Sequence, residues 1–128
     1  IGAAACSPNS QIIAVTGDGS IELNIQELQT VYLNNLNIKI FVINNGGYAS
    51  IRVSQDNMCG GRYTDDEEIL NFSKVADTFN MPFYFLDDYR NLDVDIEKIF
   101  KTNGPALIEV LCDPNQSIMS PYEVDGNV

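Results

Sequence analysis

The amino-acid sequence predicts an α/β fold in which a parallel sheet carries helices on both faces, in three layers. Three observations lead to this class. Short apolar runs of strand length alternate with segments whose apolar residues recur at helical spacing. This alternation is typical of parallel sheets joined by right-handed crossovers. The 128 residues are enough for one hydrophobic core, so we predict a single domain over residues 1–128.

The composition limits the partners of the protein. A net charge of −11 repels nucleic acid and anionic membranes, so we expect it to bind neither. No stretch reaches the roughly twenty apolar residues that a membrane span requires. The three cysteines form no C-x-x-C pair, which favours a reduced, cytoplasmic protein with small buried thiols.

The first six residues are small and apolar, without a starting Met or the basic flank of a signal peptide. We interpret them as the end of a helix. We therefore expect the chain to be a C-terminal fragment of a longer, multi-domain protein.

The first strand is predicted over Gln11–Thr16, a nearly continuous apolar run that is followed by a glycine. Such runs are typical of central strands that are buried on both faces. The next helix is expected to have Ser20 as its N-cap and to end in the asparagine-rich residues 34–37. Its apolar side is formed by residues at helical spacing, namely Ile21, Ile25, Leu28 and Tyr32.

The second strand is predicted over Ile38–Ile43, which is rich in β-branched and aromatic residues. Residues 46–63 show no clean periodicity and contain four glycines. We therefore expect a long loop there, of the kind that is usually functional or disordered.

The second half of the chain repeats the alternation. A capping box at residues 64–67 is expected to begin a helix whose apolar side contains Ile69, Phe72, Ala76 and Phe79. A third strand is predicted over Pro82–Leu86, a helix from Asp93 to the Gly104-Pro105 pair, and a fourth strand over Ala106–Leu111. Residues 113–128 either pack over the sheet edge or form a loose tail.

Two short motifs follow the first two strands. Gly17-Asp18-Gly19 ends the first and Asn44-Asn45 ends the second, with twenty-four residues between the motifs. Either motif alone is common turn chemistry. Because the carboxyl ends of parallel strands meet at one edge of a sheet, however, we expect Asp18 and Asn45 to lie close together.

Oxygen ligands of this kind suit a small hard cation. Mg2+ takes oxygen ligands and commonly shares them with a phosphate group. Asp18 offers a charged oxygen, Asn45 a neutral one, and a carbonyl in the Gly46-Gly47 turn a third. The glycines allow the backbone to approach a bulky phosphate, and the start of the following helix favours an anion. The sequence therefore predicts a site for Mg2+ and a diphosphate.

The two motifs and their spacing resemble those of the thiamine diphosphate-dependent enzymes. The resemblance covers essentially the whole chain, which would be the diphosphate-binding domain, normally the C-terminal one of three. Residues 17–20, 24–28 and 44–46 are most similar to the acetolactate synthase branch. The fold that the resemblance implies is the three-layer thiamine diphosphate-binding fold.

The resemblance also implies roles for individual residues. Asp18, the side chain of Asn45 and the carbonyl of Gly47 would ligate Mg2+. The residues that would contact the cofactor are Gly17, Asp18, Gly19, Ser20, Asn45, Gly47, Tyr48 and Ala49.

The substrate contacts are less defined. Arg52 would either meet a substrate carboxylate or make a surface or phosphate-side contact, and Ser54 is a second candidate for a substrate contact. Val53-Ser54-Gln55 replaces the Gln-Trp-Gln of acetolactate synthases, and the chain contains no tryptophan. We therefore expect a different acceptor, such as a sugar-derived or other oxo compound.

The implied activity is that of a lyase or transferase that decarboxylates a 2-oxo acid and passes the resulting carbanion to an acceptor. In this family the glutamate that activates the cofactor belongs to another domain, so no catalytic residue is assigned in this chain. We expect the fragment alone to bind cofactor weakly and to be inactive. The full-length protein is expected to be a homodimer or homotetramer, and whether it binds FAD is open.

Two other interpretations remain open at this stage. In the first, the chain is the cofactor-binding subunit of a two-chain 2-oxo acid decarboxylase. In the second, it is a noncatalytic α/β module that binds phosphate or another protein.

Overall fold

The computed structural model describes residues 1–63 and 70–116. Within these ranges the strands form one parallel sheet. They are β1 (Ile12–Gly17), β2 (Ile38–Asn44), β3 (Phe83–Leu86) and β4 (Ala106–Leu111), and their order across the sheet is β1-β2-β4-β3. The three strands predicted after the first helix are confirmed to within one residue at each end.

Helices cover both faces of this sheet. They are α1 (Gly2–Cys6), α2 (Asp18–Glu22), α3 (Glu27–Leu33), α4 (Ala49–Met58), α5 (Phe72–Thr78) and α6 (Leu92–Lys101), with a 3-10 turn over Tyr89–Asn91. One core cluster joins α1, α2, α3 and α5 to one face of the sheet, and a second joins α6 to the other face. The predicted three-layer α/β class is confirmed.

Strand β2 lies at the centre of the core. The side chains of Ile38, Ile40 and Val42 alternate along it and pack on the face that α3 and α5 cover. Phe41 points to the opposite face and packs with Ile99 of α6. A strand buried on both faces carries its functional side chains at its ends, which is where the Asn-Asn pair follows.

The prediction that the first strand is central was wrong. In the part of the chain that the structure describes, β1 is an edge strand whose only neighbour is β2. Ile12 and Ala14 pack on the core, whereas Ile13 and Val15 are 55% and 67% exposed. The apolar run has the composition of a buried strand, but packing covers only one of its faces.

The helix predicted from Ser20 is two short helices. Helix α2 begins at Asp18, directly after β1, with Gly17 rather than Ser20 at the N-cap. Residues 23–26 form turns in which the N–H of Glu27 donates to the carbonyl of Asn24. This interruption shifts the helical phase, so that Val31 is buried and Tyr32 is exposed, contrary to the prediction.

The loop predicted over residues 46–63 contains the ten-residue helix α4. Downstream, the described part of the next helix begins at Phe72, and Asn71 caps it by accepting from the N–H of Lys74 at 3.0 Å. The capping box at 64–67, Ile69 and residues 117–128 of the predicted tail lie outside the described residues.

The cysteines and the length of the helices test two further expectations from the sequence. The cysteines are free, but Cys6 and Cys59 are exposed rather than buried. Among residues 1–63 and 70–116, no helix has both the length and the apolar composition for crossing a membrane.

Candidate functional site

The carboxyl ends of β1, β2 and β4 surround a cavity of about 560 Å3, a volume in the range of small-molecule sites. All the residues predicted to contact a cofactor line it: Gly17, Asp18, Gly19, Ser20, Asn45, Gly47, Tyr48 and Ala49. The cavity wall also contains residues that the sequence did not single out, which are Ile43, Ser50, Cys112, Asp113 and Gln116. The last three follow β4, so the same strand-end rule that selected Asp18 applies to them.

Asp18 connects the two motifs. Its side chain is 3% exposed, because α2 begins immediately after the strand and turns the carboxylate inward. Asp18 Oδ1 accepts from the N–H of Gly19 at 2.8 Å, and Oδ2 accepts from the N–H groups of Asn45 at 3.2 Å and Gly47 at 2.7 Å. The structure therefore brings Asp18 and the loop after β2 together, as the spacing predicted.

The loop over residues 45–47 has a conformation that requires its glycines. Gly46 and Gly47 have φ angles of +80° and +95°, in the left-handed region that other residues adopt only at a cost. The carbonyl of Gly47 accepts from the N–H of Ala49 at 2.8 Å. The turn thus ends where α4 begins, and Gly47 lines the cavity.

Arg52 fastens this loop from α4. Its side chain is 7% exposed, and Nη1 and Nη2 donate to the carbonyls of Gly46 at 2.5 Å and Asn45 at 3.1 Å. Arg52 is not among the residues that line the large cavity. The structure thus gives it a role in holding the loop, which the sequence did not reveal, and its contact with a substrate stays a prediction.

Ser54, the second predicted substrate contact, lies two residues after Arg52 in α4. It is exposed, and its Oγ donates to the sulfur of Met58 at 3.6 Å. Like Arg52, it does not line the large cavity, so the structure does not bring it to the other site residues.

Tyr48 packs over Gly19. A Cβ atom built on Gly19 would lie 2.6 Å from the Tyr48 ring, and Tyr48 Oη donates to the Gly19 carbonyl at 3.4 Å. The N–H of Gly19 is already bonded to Asp18. A side chain at position 19 would therefore collide with the Tyr48 ring, which explains the glycine. Ser20, in contrast, is exposed at the cavity wall.

The site has few anionic ligands for a metal. Among the described residues, no group of three or more His, Cys, Asp or Glu side chains is arranged to hold a metal ion. In addition to Asp18, neutral protein oxygens and the oxygens of a bound small molecule would have to coordinate a cation in this cavity. That donor set suits Mg2+ shared with phosphate and does not suit a structural zinc ion.

A hydrogen bond between strands supports the loop from a third side. Asn44 Nδ2 donates to Glu109 Oε1 at 2.6 Å, and Asn44 Oδ1 accepts from the N–H of Gly46 at 3.2 Å. Glu109 is 65 residues from Asn44 in sequence, so no local pattern connects the two. Only the pairing of β2 with β4 reveals the contact.

Comparison with known proteins gives a family match and several relatives. A family profile described as "Thiamine pyrophosphate enzyme, C-terminal TPP binding domain" matches residues 1–110. The acetolactate synthase large subunit of Porphyra purpurea is 32% identical over 120 residues, which cover 91% of this chain and 20% of that protein. Acetolactate synthase 1, chloroplastic, of Zea mays is 27% identical over 134 residues, covering 98% of this chain and 21% of that protein.

A solved structure has the same fold. The Rhodococcus jostii RHA1 thiamine diphosphate-dependent 4-hydroxybenzoylformate decarboxylase matches with a TM-score of 0.81 and 24% identity, covering 91% of this chain and 22% of that chain. The sheet and its helices are thus those of a known domain type. The chain spans about a fifth of the length of the curated relatives that it matches.

Proposed function

This chain belongs to the thiamine pyrophosphate enzyme family, as a C-terminal TPP binding domain similar to that of acetolactate synthases, and we propose that its cavity holds the Mg2+ and diphosphate end of thiamine diphosphate. The observation that carries the proposal is the buried Asp18 carboxylate, which faces the loop over residues 45–47 at the cavity wall. A carboxylate is seldom buried without a cation or several donors. Asp18 has the donors, and its cavity is large enough for a ligand.

The donor set fits the proposed metal. Asp18 would supply the charged oxygen, Asn45 its side-chain oxygen and Gly47 its carbonyl, and the phosphates would complete an octahedron. Among the described residues, the Asn45 side chain forms no hydrogen bond, so its oxygen is available to a cation. The net charge of −11 favours such a cation, because it offsets the repulsion between a diphosphate and an acidic protein.

The walls of the cavity fit the diphosphate. Gly17 leaves the backbone without a side chain where a phosphate would approach, Gly19 leaves room for the Tyr48 ring, and Ser20 is exposed at the wall. Tyr48 and Ala49 also line the cavity. These residues bind and orient the cofactor, and no catalytic acid or base is assigned among them.

Thiamine diphosphate, when bound, supplies the carbon nucleophile that this enzyme family uses on 2-oxo acids. We therefore propose that the full-length protein is a lyase or transferase that decarboxylates a 2-oxo acid and transfers the remaining fragment to an acceptor. The replacement of Gln-Trp-Gln by Val53-Ser54-Gln55 supports an acceptor that differs from that of acetolactate synthases. Arg52 holds the carbonyls of Gly46 and Asn45, and we propose that its guanidinium also contacts a substrate carboxylate.

We propose that the chain is one diphosphate-binding domain of a multi-domain, cytoplasmic enzyme that forms a homodimer or homotetramer. The glutamate that activates the cofactor would come from another domain. This chain alone would then bind the cofactor without turning over substrate.

Calorimetric titration with thiamine diphosphate, with and without Mg2+, tests the proposed site. We expect binding that requires Mg2+, and we expect the Asp18→Ala variant to lose this requirement together with most of the affinity. Asp93→Ala is the matched control, because Asp93 is an exposed carboxylate on α6, outside the cavity. Binding that is equally strong without Mg2+, or that survives Asp18→Ala, would contradict the proposal.

A further inference from the structure

Glu109 contacts the loop over residues 45–47 through one intermediate side chain. It lies in β4, and its Oε1 accepts from Nδ2 of Asn44, the last residue of β2, at 2.6 Å. Neither Glu109 nor Asn44 lines the cavity. Any effect of Glu109 on a ligand must therefore pass through other atoms.

The chemistry of the Asn44 side chain determines how the contact is transmitted. An asparagine amide has one donating end and one accepting end, whereas a carboxylate only accepts. Glu109 therefore fixes the NH2 end of Asn44 toward β4, and the oxygen must face the other way. There Asn44 Oδ1 accepts from the N–H of Gly46 at 3.2 Å. With the opposite orientation, two donors would face each other.

Gly46 lies between two of the proposed metal ligands. Its φ angle is +80°, and its carbonyl is held by Arg52, so that both of its backbone polar groups are bonded. We infer that Glu109 is a positioning residue, which sets the places of Asn45 and Gly47 through Asn44 and the Gly46 N–H. The identity of the ligand rests on the proposed function, whereas the link from Glu109 to Gly46 is formed by the protein's own atoms.

Two substitutions of Glu109 test the link in the 128-residue chain. Glu109→Ala removes the acceptor, and we expect the Gly46 amide to exchange its hydrogen about tenfold faster and the dissociation constant for Mg2+ and thiamine diphosphate to rise about tenfold. Glu109→Gln retains an oxygen that accepts from Asn44, so we expect it to remain near the wild type in both. Glu97→Ala is the control, since Glu97 is an exposed carboxylate on α6.

A reciprocal exchange separates positioning from a general loss of stability. Asn44→Asp places two carboxylates against each other, and we expect it to weaken binding and speed Gly46 exchange at least as much as Glu109→Ala. Combining Asn44→Asp with Glu109→Gln restores one donor and one acceptor with their roles exchanged. We expect the double variant to recover both measured quantities, which would be a non-additive rescue.

The outcomes distinguish this inference from the proposed function. Unchanged Gly46 exchange in Glu109→Ala, or no rescue in the double variant, would overturn the inference even if Mg2+-dependent binding stands. Faster exchange with unchanged affinity would show that Glu109 does not position the site. If the wild type binds no thiamine diphosphate, the proposed function fails, and Gly46 exchange still decides whether Glu109 fixes the loop. Should Glu109→Ala not fold, the comparison of Asn44→Asp with the double variant gives the same decision.

Discussion

Replacing Arg52 by leucine should destabilise the protein before any substrate is involved. Arg52 is 7% exposed, and its guanidinium donates to the carbonyls of Gly46 and Asn45. Hydrogen bonds from a charged donor contribute about 1.5–3 kcal/mol each. Leucine fills part of the vacated volume, and the freed carbonyls lie near the surface, so we expect a loss of about 3 kcal/mol in the free energy of unfolding. For a domain of this size, that corresponds to a fall in melting temperature of roughly 10 °C.

Chemical and thermal unfolding of the ligand-free protein measure this loss. Arg52→Lys should recover only part of it, because one ammonium group does not reproduce the planar fork that reaches two carbonyls. Arg90→Leu is the control, since the Arg90 side chain is 75% exposed and pairs with Asp88; we expect no measurable change. If Arg52→Leu unfolds like the wild type in the absence of ligand, the loop-fastening role is refuted. In the full-length protein, a rise in the KM for a 2-oxo acid with unchanged stability would instead favour the substrate contact.

Two further predictions concern the glycine loop and a buried lysine. Gly47→Ala forces a φ of +95° on a residue with a Cβ atom, so we expect urea unfolding to show a loss of about 1–2 kcal/mol, whereas Gly2→Ala, where a Cβ atom meets nothing, should cost nothing. The pKa of Lys39 is lowered because burial disfavours its charged form. The folded protein therefore releases this proton at a lower pH than the unfolded chain does. We expect the wild type to gain stability relative to Lys39→Met as the pH rises toward the ordinary lysine pKa, and a difference that is constant with pH would contradict this.

Much of the fold followed from local sequence. The strands over Ile38–Asn44 and Ala106–Leu111 were predictable because each is an apolar run with packing on both faces. Asp18 and Asn45 were predictable as neighbours because strand ends in a parallel sheet converge. The strand signals lie within a few residues, and the proximity of Asp18 and Asn45 depends only on the pairing of two consecutive strands.

The features that were missed depend on contacts distant in sequence. Helix α4 buries Arg52 as its only buried residue, so the apolar periodicity that identifies an amphipathic helix is weak there. The edge position of β1 is decided by the order of strands, which the composition of Ile12–Gly17 does not encode. The contact of Glu109 with Asn44 exists only because β4 inserts beside β2.

The loop over residues 45–47 has a consequence for the thermodynamics of ligand binding. Asp18 holds two of its N–H groups, Asn44 the third, and Arg52 two of its carbonyls, all through bonds within the protein. A segment ordered in advance loses little conformational entropy when it is occupied, so more of the interaction energy appears as affinity. The entropic cost of ordering this loop is part of the free energy of folding. The same hydrogen bonds therefore contribute both to the stability of the domain and to the affinity for its ligand.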